Sequence, residues 1–179
     1  MKLSIIMPVY NEQATILEMI KKVESIKIPG VEKELIIIDD GSKDNTPSLL
    51  KDVKNHKILF HDSNKGMGAA FRTGLQHATG NFIIKQDADL EYNPESYIDL
   101  INHAINNNLD VVYGSRFLAQ QHKEIPLHYF GNKILTLATN LLYGSKITDM
   151  ETCYKLIKID VAKSLNIRAE RFELEPEIT

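Results

Sequence analysis

Short apolar runs alternate with longer stretches in which apolar positions recur every three or four residues, and this alternation predicts the elements of most of the chain. Residues 3–9 read as a buried strand, and Ile16, Ile20 and Val23 set helical spacing across 14–26. Residues 34–38 have the β-branched and leucine composition of a parallel strand covered on both faces. Thr46-Pro47 opens a second helix with proline in its first turn. A third strand at 57–61, a helix at 66–78 and a fourth strand at 81–86 repeat the unit. Asn93-Pro94 then reads as an N-cap followed by proline at the first helical position, with Tyr97, Ile98, Ile101 and Ile105 as the apolar stripe. A fifth strand follows at 109–113. Such alternation implies right-handed crossovers and an α/β fold, a mostly parallel, Rossmann-like central sheet flanked by helices. The stretch 126–143 differs: Leu127, Phe130, Ile134, Leu137, Leu141 and Leu142 make a wide apolar surface interrupted by Lys133 and Asn140, as in a helix lying at an interface.

Acidic and turn residues gather where the strands end. Pro8-Val9-Tyr10-Asn11-Glu12, Asp39-Asp40-Gly41-Ser42 and Asp87-Ala88-Asp89 each follow an apolar run, and in an open α/β sheet the carboxyl ends of parallel strands line the ligand crevice. Asp87 and Asp89 repel one another unless a cation offsets the charge. Mg²⁺ or Mn²⁺ is the expected ion, with Glu91 a further oxygen ligand, because the segment has no His or Cys to make a zinc site. The alternative is that the two aspartates only cap turns. Asp39 can accept a hydrogen bond from a nucleobase edge while Asp40 satisfies turn amides, Tyr10 can stack on a base, and Glu12 can bond a base or ribose. Asn64-Lys65-Gly66-Met67-Gly68 permits close backbone approach, with Lys65 bringing positive charge toward phosphates. It is not a P-loop, and a glycine turn beneath a helix is the equal alternative. Arg116, just after the fifth strand, can clamp a phosphate with its guanidinium or make a surface ion pair.

Composition narrows the partners. At 179 residues and 43% hydrophobic content, the chain can bury one core without disulfides, and one domain over 1–179 is expected. A net charge of −3 gives no broad basic field, which argues on electrostatic grounds against a nucleic-acid polymer as partner. Cys153 is the single cysteine, so no internal disulfide forms, and its thiol is expected to be structural in a reducing compartment. The N-terminus leads into a strand without the pattern of a signal peptide, and no run approaches the roughly 20 apolar residues that span a bilayer. Cytoplasmic synthesis is the expectation. Residues 172–179 read as the start of a further element, so the domain is expected to be C-terminally truncated at Thr179.

Four ordered motifs resemble the family 2 glycosyltransferases of GT-A fold: Met7-Pro8-Val9-Tyr10-Asn11-Glu12, Ile38-Asp39-Asp40-Gly41-Ser42, Asn64-Lys65-Gly66-Met67-Gly68-Ala69-Ala70 and Asp87-Ala88-Asp89. Gln86-Asp87-Ala88-Asp89-Leu90-Glu91, Gly114-Ser115-Arg116-Phe117 and Asp149-Met150-Glu151-Thr152-Cys153-Tyr154-Lys155 resemble the dolichol-phosphate mannosyltransferase-like, polyprenyl-phosphate branch. The resemblance implies inverting transfer of a sugar from a nucleotide diphosphate sugar, GDP-mannose or a UDP-sugar, to a lipid phosphate acceptor at the cytosolic face of a membrane, with peripheral membrane contact through 126–143. It implies that Pro8, Tyr10, Glu12 and Asp39 contact the nucleoside, that Asp87 and Asp89 serve the sugar and metal region, and that Arg116 meets a phosphate. Asp149 takes the place of a carboxylate base, though an ionised phosphate acceptor requires little deprotonation. Related enzymes continue past Thr179 into a basic loop, and some into membrane helices. A soluble or cell-wall glycan acceptor, or a non-catalytic nucleotide-sugar-binding module, are the alternatives.

Overall fold

The computed structural model describes residues 1–118, 126–171 and 173–179, residues 126–128 by their backbone alone. Leu127 of the expected apolar surface and Phe172 of the expected terminal element lie outside the described side chains. One six-stranded sheet has the order β3-β2-β1-β4-β6-β5, formed by β1 (Lys2–Val9), β2 (Glu32–Asp39), β3 (Lys57–Phe60), β4 (Phe82–Lys85), β5 (Val111–Tyr113) and β6 (Lys155–Lys158). The pairs β1–β2, β1–β4 and β2–β3 are parallel. β6 runs antiparallel to both β4 and β5.

The helices are α1 (Ile16–Ser25), α2 (Thr46–Lys51), α3 (Met67–His77), α4 (Ser96–Asn106), α5 (Pro126–Tyr143), α6 (Ile159–Ser164) and α7 (Leu174–Ile178). Strand side chains alternate between faces. Leu3, Ile5, Met7 and Val9 of β1 therefore join one core with Ile16, Met19, Ile20 and Val23 of α1 and Tyr97 and Ile101 of α4. Ile6, with Ile36 and Ile38 of β2, joins a second core with Ala70, Phe71 and Leu75 of α3. Each such aliphatic side chain contributes about 1.5–3 kcal/mol on burial. Gly74 lets α3 sit directly on the sheet, since a Cβ there would collide with Ile6 and Ile38.

The expected parallel alternation holds through β4, and two local expectations are corrected. β6 has no counterpart among the expected strands, because a four-residue strand whose first three residues are all buried carries too little periodicity to read. α4 begins at Ser96 rather than at Pro94: Asn93 Oδ1 accepts from the Glu95 amide at 3.1 Å, making a separate turn before the helix, and Ile105 faces solvent, its place in the stripe taken by Leu100 and Ala104.

The sheet edge opposite the strand carboxyl ends is pinned by Glu34. Its carboxylate accepts from Thr79 N at 2.6 Å, Thr79 Oγ1 at 2.8 Å and the Ser4 hydroxyl, and pairs with Lys2 Nζ at 2.8 Å. Burial opposes the charge, but these donors outweigh it and hold the Glu34 pKa down at about 2. A carboxyl depressed by folding stabilises above its unfolded pKa, and that stability is lost as pH falls toward the folded one. Urea melts should show stability declining from about pH 4.5 toward pH 2, and Glu34→Gln should flatten that slope. An unchanged slope would remove Glu34 from the acid response.

Candidate active site

β1, β2 and β3 end side by side. Val9 pairs with Asp39 and Asp39 with Phe60, so the loops after the three strands leave from one edge. Those loops enclose a cleft of about 720 Å³ whose wall includes Tyr10, Asp39, Ser42, Lys51, Phe60 and Asp62. Tyr10 and Phe60 are 40% and 46% exposed, two aromatic rings available to a planar ligand. Asp39 is 2% exposed. Its Oδ2 accepts from the Ser42 amide at 3.2 Å, whereas its Oδ1 is buried without any hydrogen-bond partner. A buried carboxylate oxygen left in that state is unfavourable unless a ligand donor completes it.

The loops are stitched to one another before any ligand arrives. Asn11, at φ +57°, donates its amide to Ser42 Oγ at 2.9 Å and accepts from Lys43 N at 2.8 Å. Glu12 donates its amide to Thr46 Oγ1 at 2.9 Å, and its carboxylate accepts from Thr15 Oγ1 at 2.6 Å beside the start of α1. Tyr10 and Asp39 therefore line the cleft, but Pro8, Glu12 and Lys65 do not. Pro8 lies within β1, paired with Ile38. Glu12 is engaged at the foot of α1.

Asp40 points away from the cleft toward α3. It pairs with His61 Nδ1 at 2.7 Å and accepts from the amides of Lys65 at 3.0 Å and Gly66 at 2.7 Å. The amides of Gly68 and Ala69, in the first turn of α3, donate to Glu170 O at 2.8 and 3.2 Å. Gly66, at φ +94°, must lack a Cβ because the Glu170 carbonyl lies against it. The glycine-rich loop is thus closed by protein groups on both sides, which favours the turn-beneath-a-helix alternative, and the Lys65 side chain projects from it into solvent.

β4 delivers Asp87 and Asp89 to the same edge, next to β1, where the Gln86 amide donates to Ile6 O at 2.9 Å. At the usual inter-strand spacing, β2 and β4 are separated by about 10 Å across β1. Asp87 is turned inward: Lys85 Nζ is 3.2 Å from Oδ1, and the Cys153 thiol donates to Oδ2 at 2.6 Å. Burial, then the neighbouring Asp87 carboxylate, pushes the Cys153 pKa well up, so the thiol stays a neutral donor. Asp89 faces outward and accepts from the Glu91 amide at 3.0 Å, with Leu90 between them at φ +68°. Burial raises the Asp89 pKa first and the Asp87 charge adds to it, the repulsion expected of paired carboxylates. Glu91 is exposed beside it. Among the described residues no group of three or more His, Cys, Asp or Glu side chains gathers to form a metal cage. That excludes a closed zinc-type site among them and leaves the sparser arrangement in which one or two carboxylates share a Mg²⁺ or Mn²⁺ ion with substrate phosphates.

The structure brings Arg116 and Asp149 together. Arg116 Nε and Nη2 donate to Asp149 Oδ2 and Oδ1, each at 2.9 Å, and the Arg116 amide adds a third bond at 2.9 Å. Asp149 is buried. With both oxygens occupied, it holds the guanidinium in place. α5 holds the segment carrying Asp149: Thr136 Oγ1 accepts from Met150 N at 3.2 Å, and Asn140 bonds Ile147 and Ser145. Thr136 and Asn140 thus make polar inward contacts from α5 and Tyr129 packs edge-on against Phe117, while Phe130, Ile134, Leu137, Leu141 and Leu142 are exposed. No helix among the described residues is long and apolar enough to cross a membrane.

Sequence reasoning missed Lys85, Lys155 and Glu175, which form buried ion pairs behind the Asp87 turn. A lysine closing an otherwise apolar strand, as in Phe82-Ile83-Ile84-Lys85, was the available signal.

Parallel strands that deliver carboxylates to one edge beside a nucleoside-sized cleft are the arrangement of a nucleotide-binding α/β fold, here the GT-A fold that the chain shares with solved glycosyltransferases. The chain belongs to glycosyl transferase family 2, whose family model matches residues 4–165. It is 30% identical over 192 residues to a UDP-N-acetylglucosamine–dolichyl-phosphate N-acetylglucosaminyltransferase of Methanococcus voltae, covering 94% of this chain and 75% of that one. It is 31% identical over 121 residues to a dolichol-phosphate mannosyltransferase of Pyrococcus furiosus, covering 66% of this chain and 34% of that one. These relatives group it with the polyprenyl-phosphate branch. Among solved structures, glucosyl-3-phosphoglycerate synthase from Mycobacterium tuberculosis, in complex with Mg²⁺ and UDP, superposes with a TM-score of 0.74 at 18% identity, covering 99% of this chain and 63% of that one. The chain therefore spans less than two-thirds of that solved chain.

Proposed function

We propose that this chain carries the donor site of a metal-dependent inverting glycosyltransferase that moves a sugar from a nucleotide diphosphate sugar to a polyprenyl phosphate. The observation that carries the reading is the unpartnered, buried Asp39 Oδ1 in a cleft on the same sheet edge as Asp89. An N–H on the edge of a uracil or guanine ring would complete Asp39, and Tyr10 and Phe60 would cover the ring faces. Asp89 and Glu91 would hold a Mg²⁺ or Mn²⁺ ion, which supplies neutralisation of the negative charge that develops on a departing nucleoside diphosphate. Arg116, fixed by Asp149, presents a rigid cation for a phosphate, and an ionised phosphate acceptor needs no base. The exposed apolar face of α5 suits contact with the lipid surface that carries the acceptor. The Methanococcus voltae relative is named for transfer from UDP-N-acetylglucosamine to dolichyl phosphate, which makes that pair the first to assay.

Labelled UDP-sugars and GDP-mannose should be offered with polyprenyl phosphate or with soluble glycans, with Mn²⁺ or with EDTA. Transfer only to the lipid phosphate, abolished by EDTA, is the expected result. Transfer to a soluble glycan alone would overturn the lipid acceptor, and transfer undiminished by EDTA would overturn the metal.

A further inference from the structure

Behind the Asp87 turn, four ionisable side chains meet in the interior. Lys85 Nζ lies 2.6 Å from Glu175 Oε1 and 3.2 Å from Asp87 Oδ1, and Lys155 Nζ lies 2.5 Å from Glu175 Oε2 and 3.0 Å from Glu175 O. Lys85, Lys155 and Glu175 have side chains only 6%, 3% and 9% exposed. Two ammonium groups face two carboxylates, so the charges balance only while all four are present. Buried pairs of this kind are seldom retained for stability alone, since an apolar set of similar volume is often as stable.

Their placement gives them a task. Lys85 closes β4, Lys155 opens β6, and Glu175 lies on α7 against the same face of the sheet as Phe71 of α3. α7 is anchored further where Tyr113 Oη donates to Ile178 O at 3.4 Å and Thr179 Oγ1 to Met150 O at 3.3 Å. Asp87 receives one oxygen contact from Lys85 and the other from Cys153, so its orientation is set by this interior group. Asp89 is two residues further along the same turn. We infer that Glu175, acting through Lys85, is a positioning residue that fixes the Asp87-Ala88-Asp89 turn and thereby sets how well Asp89 takes a metal–nucleotide complex. Groups that orient ligands from behind typically change metal affinity by about 10–100-fold when removed. The inference rests on the donor-site reading above.

The test is Mn²⁺ uptake by the full chain, followed by electron paramagnetic resonance in the presence of UDP or GDP, alongside thermal melts. Glu175→Gln keeps the shape and removes the charge, leaving Lys85 to close on Asp87 alone, and should weaken Mn²⁺–nucleotide binding about tenfold while lowering Tm. Lys85→Met should do the same, and the double variant should bind no worse than the weaker single one, because both lie on one path. Val23→Ala, on the buried face of α1, supplies a destabilised control that should keep wild-type affinity. Wild-type affinity in Glu175→Gln, or an equal loss in Val23→Ala, overturns the inference alone. A wild-type chain that takes up Mn²⁺ with neither nucleotide overturns the donor-site reading and this inference with it.

Discussion

Asp39→Asn should reduce nucleotide affinity by about 30-fold or more and leave the melting temperature unchanged or slightly higher. Oδ1 of Asp39 is buried and unpartnered, so the folded chain already carries an unsatisfied acceptor that a bound base would complete. Removing the charge relieves that penalty in the free protein. In the complex, asparagine either sets an amide N–H against the base N–H or turns its oxygen to the base and abandons the charge-assisted bond. Loss of a charged, desolvated hydrogen bond in a binding site is worth about 2–5 kcal/mol, which corresponds to roughly 30- to several-thousand-fold in affinity. Calorimetry with UDP and GDP in Mn²⁺, paired with thermal melts, separates the two effects. Wild-type affinity in Asp39→Asn would remove this carboxylate from base recognition. A stability gain accompanied by lost binding is the trade expected where a site is held in an unfavourable state for its ligand.

Much of this architecture is readable from local pattern. The strands ending at Val9, Asp39, Phe60 and Lys85 carry their own periodicity, and parallel strands bounded by helices leave little choice of topology. Their acidic ends are legible because polar residues directly after a buried strand must face an edge. The pairing of Arg116 with Asp149 was not legible, because 33 residues separate them and only the fold of 145–150 against α5 brings them together. Nor were the partners of Lys85: Glu175 lies 90 positions further on, and α7 docks through packing that no short window reveals. The antiparallel β6 escaped for a related reason, since Leu156 and Ile157 are both buried and show no alternation.

Asp40→Ala should destabilise the chain by about 3–5 kcal/mol, the range for stripping the partner from a buried, charge-assisted network. For a domain of this size that is a fall in Tm on the order of 10 °C. The carboxylate of Asp40 is shared among His61 Nδ1 and the amides of Lys65 and Gly66, and His61 Nε2 continues to Thr73 Oγ1 on α3 at 3.0 Å. Alanine would orphan all three donors at once and release the loop that sets the start of α3. Asp40→Asn retains one acceptor oxygen and should fall between wild type and alanine. Thermal and urea melts give the ordering directly, and an alanine variant within about 1 kcal/mol of wild type would show that water replaces the carboxylate at little cost. Adjacent aspartates thus diverge because successive side chains leave an extended chain on opposite sides. Asp39 turns to the cleft, where its missing partner is a ligand, and Asp40 turns to α3, where every partner is already in place.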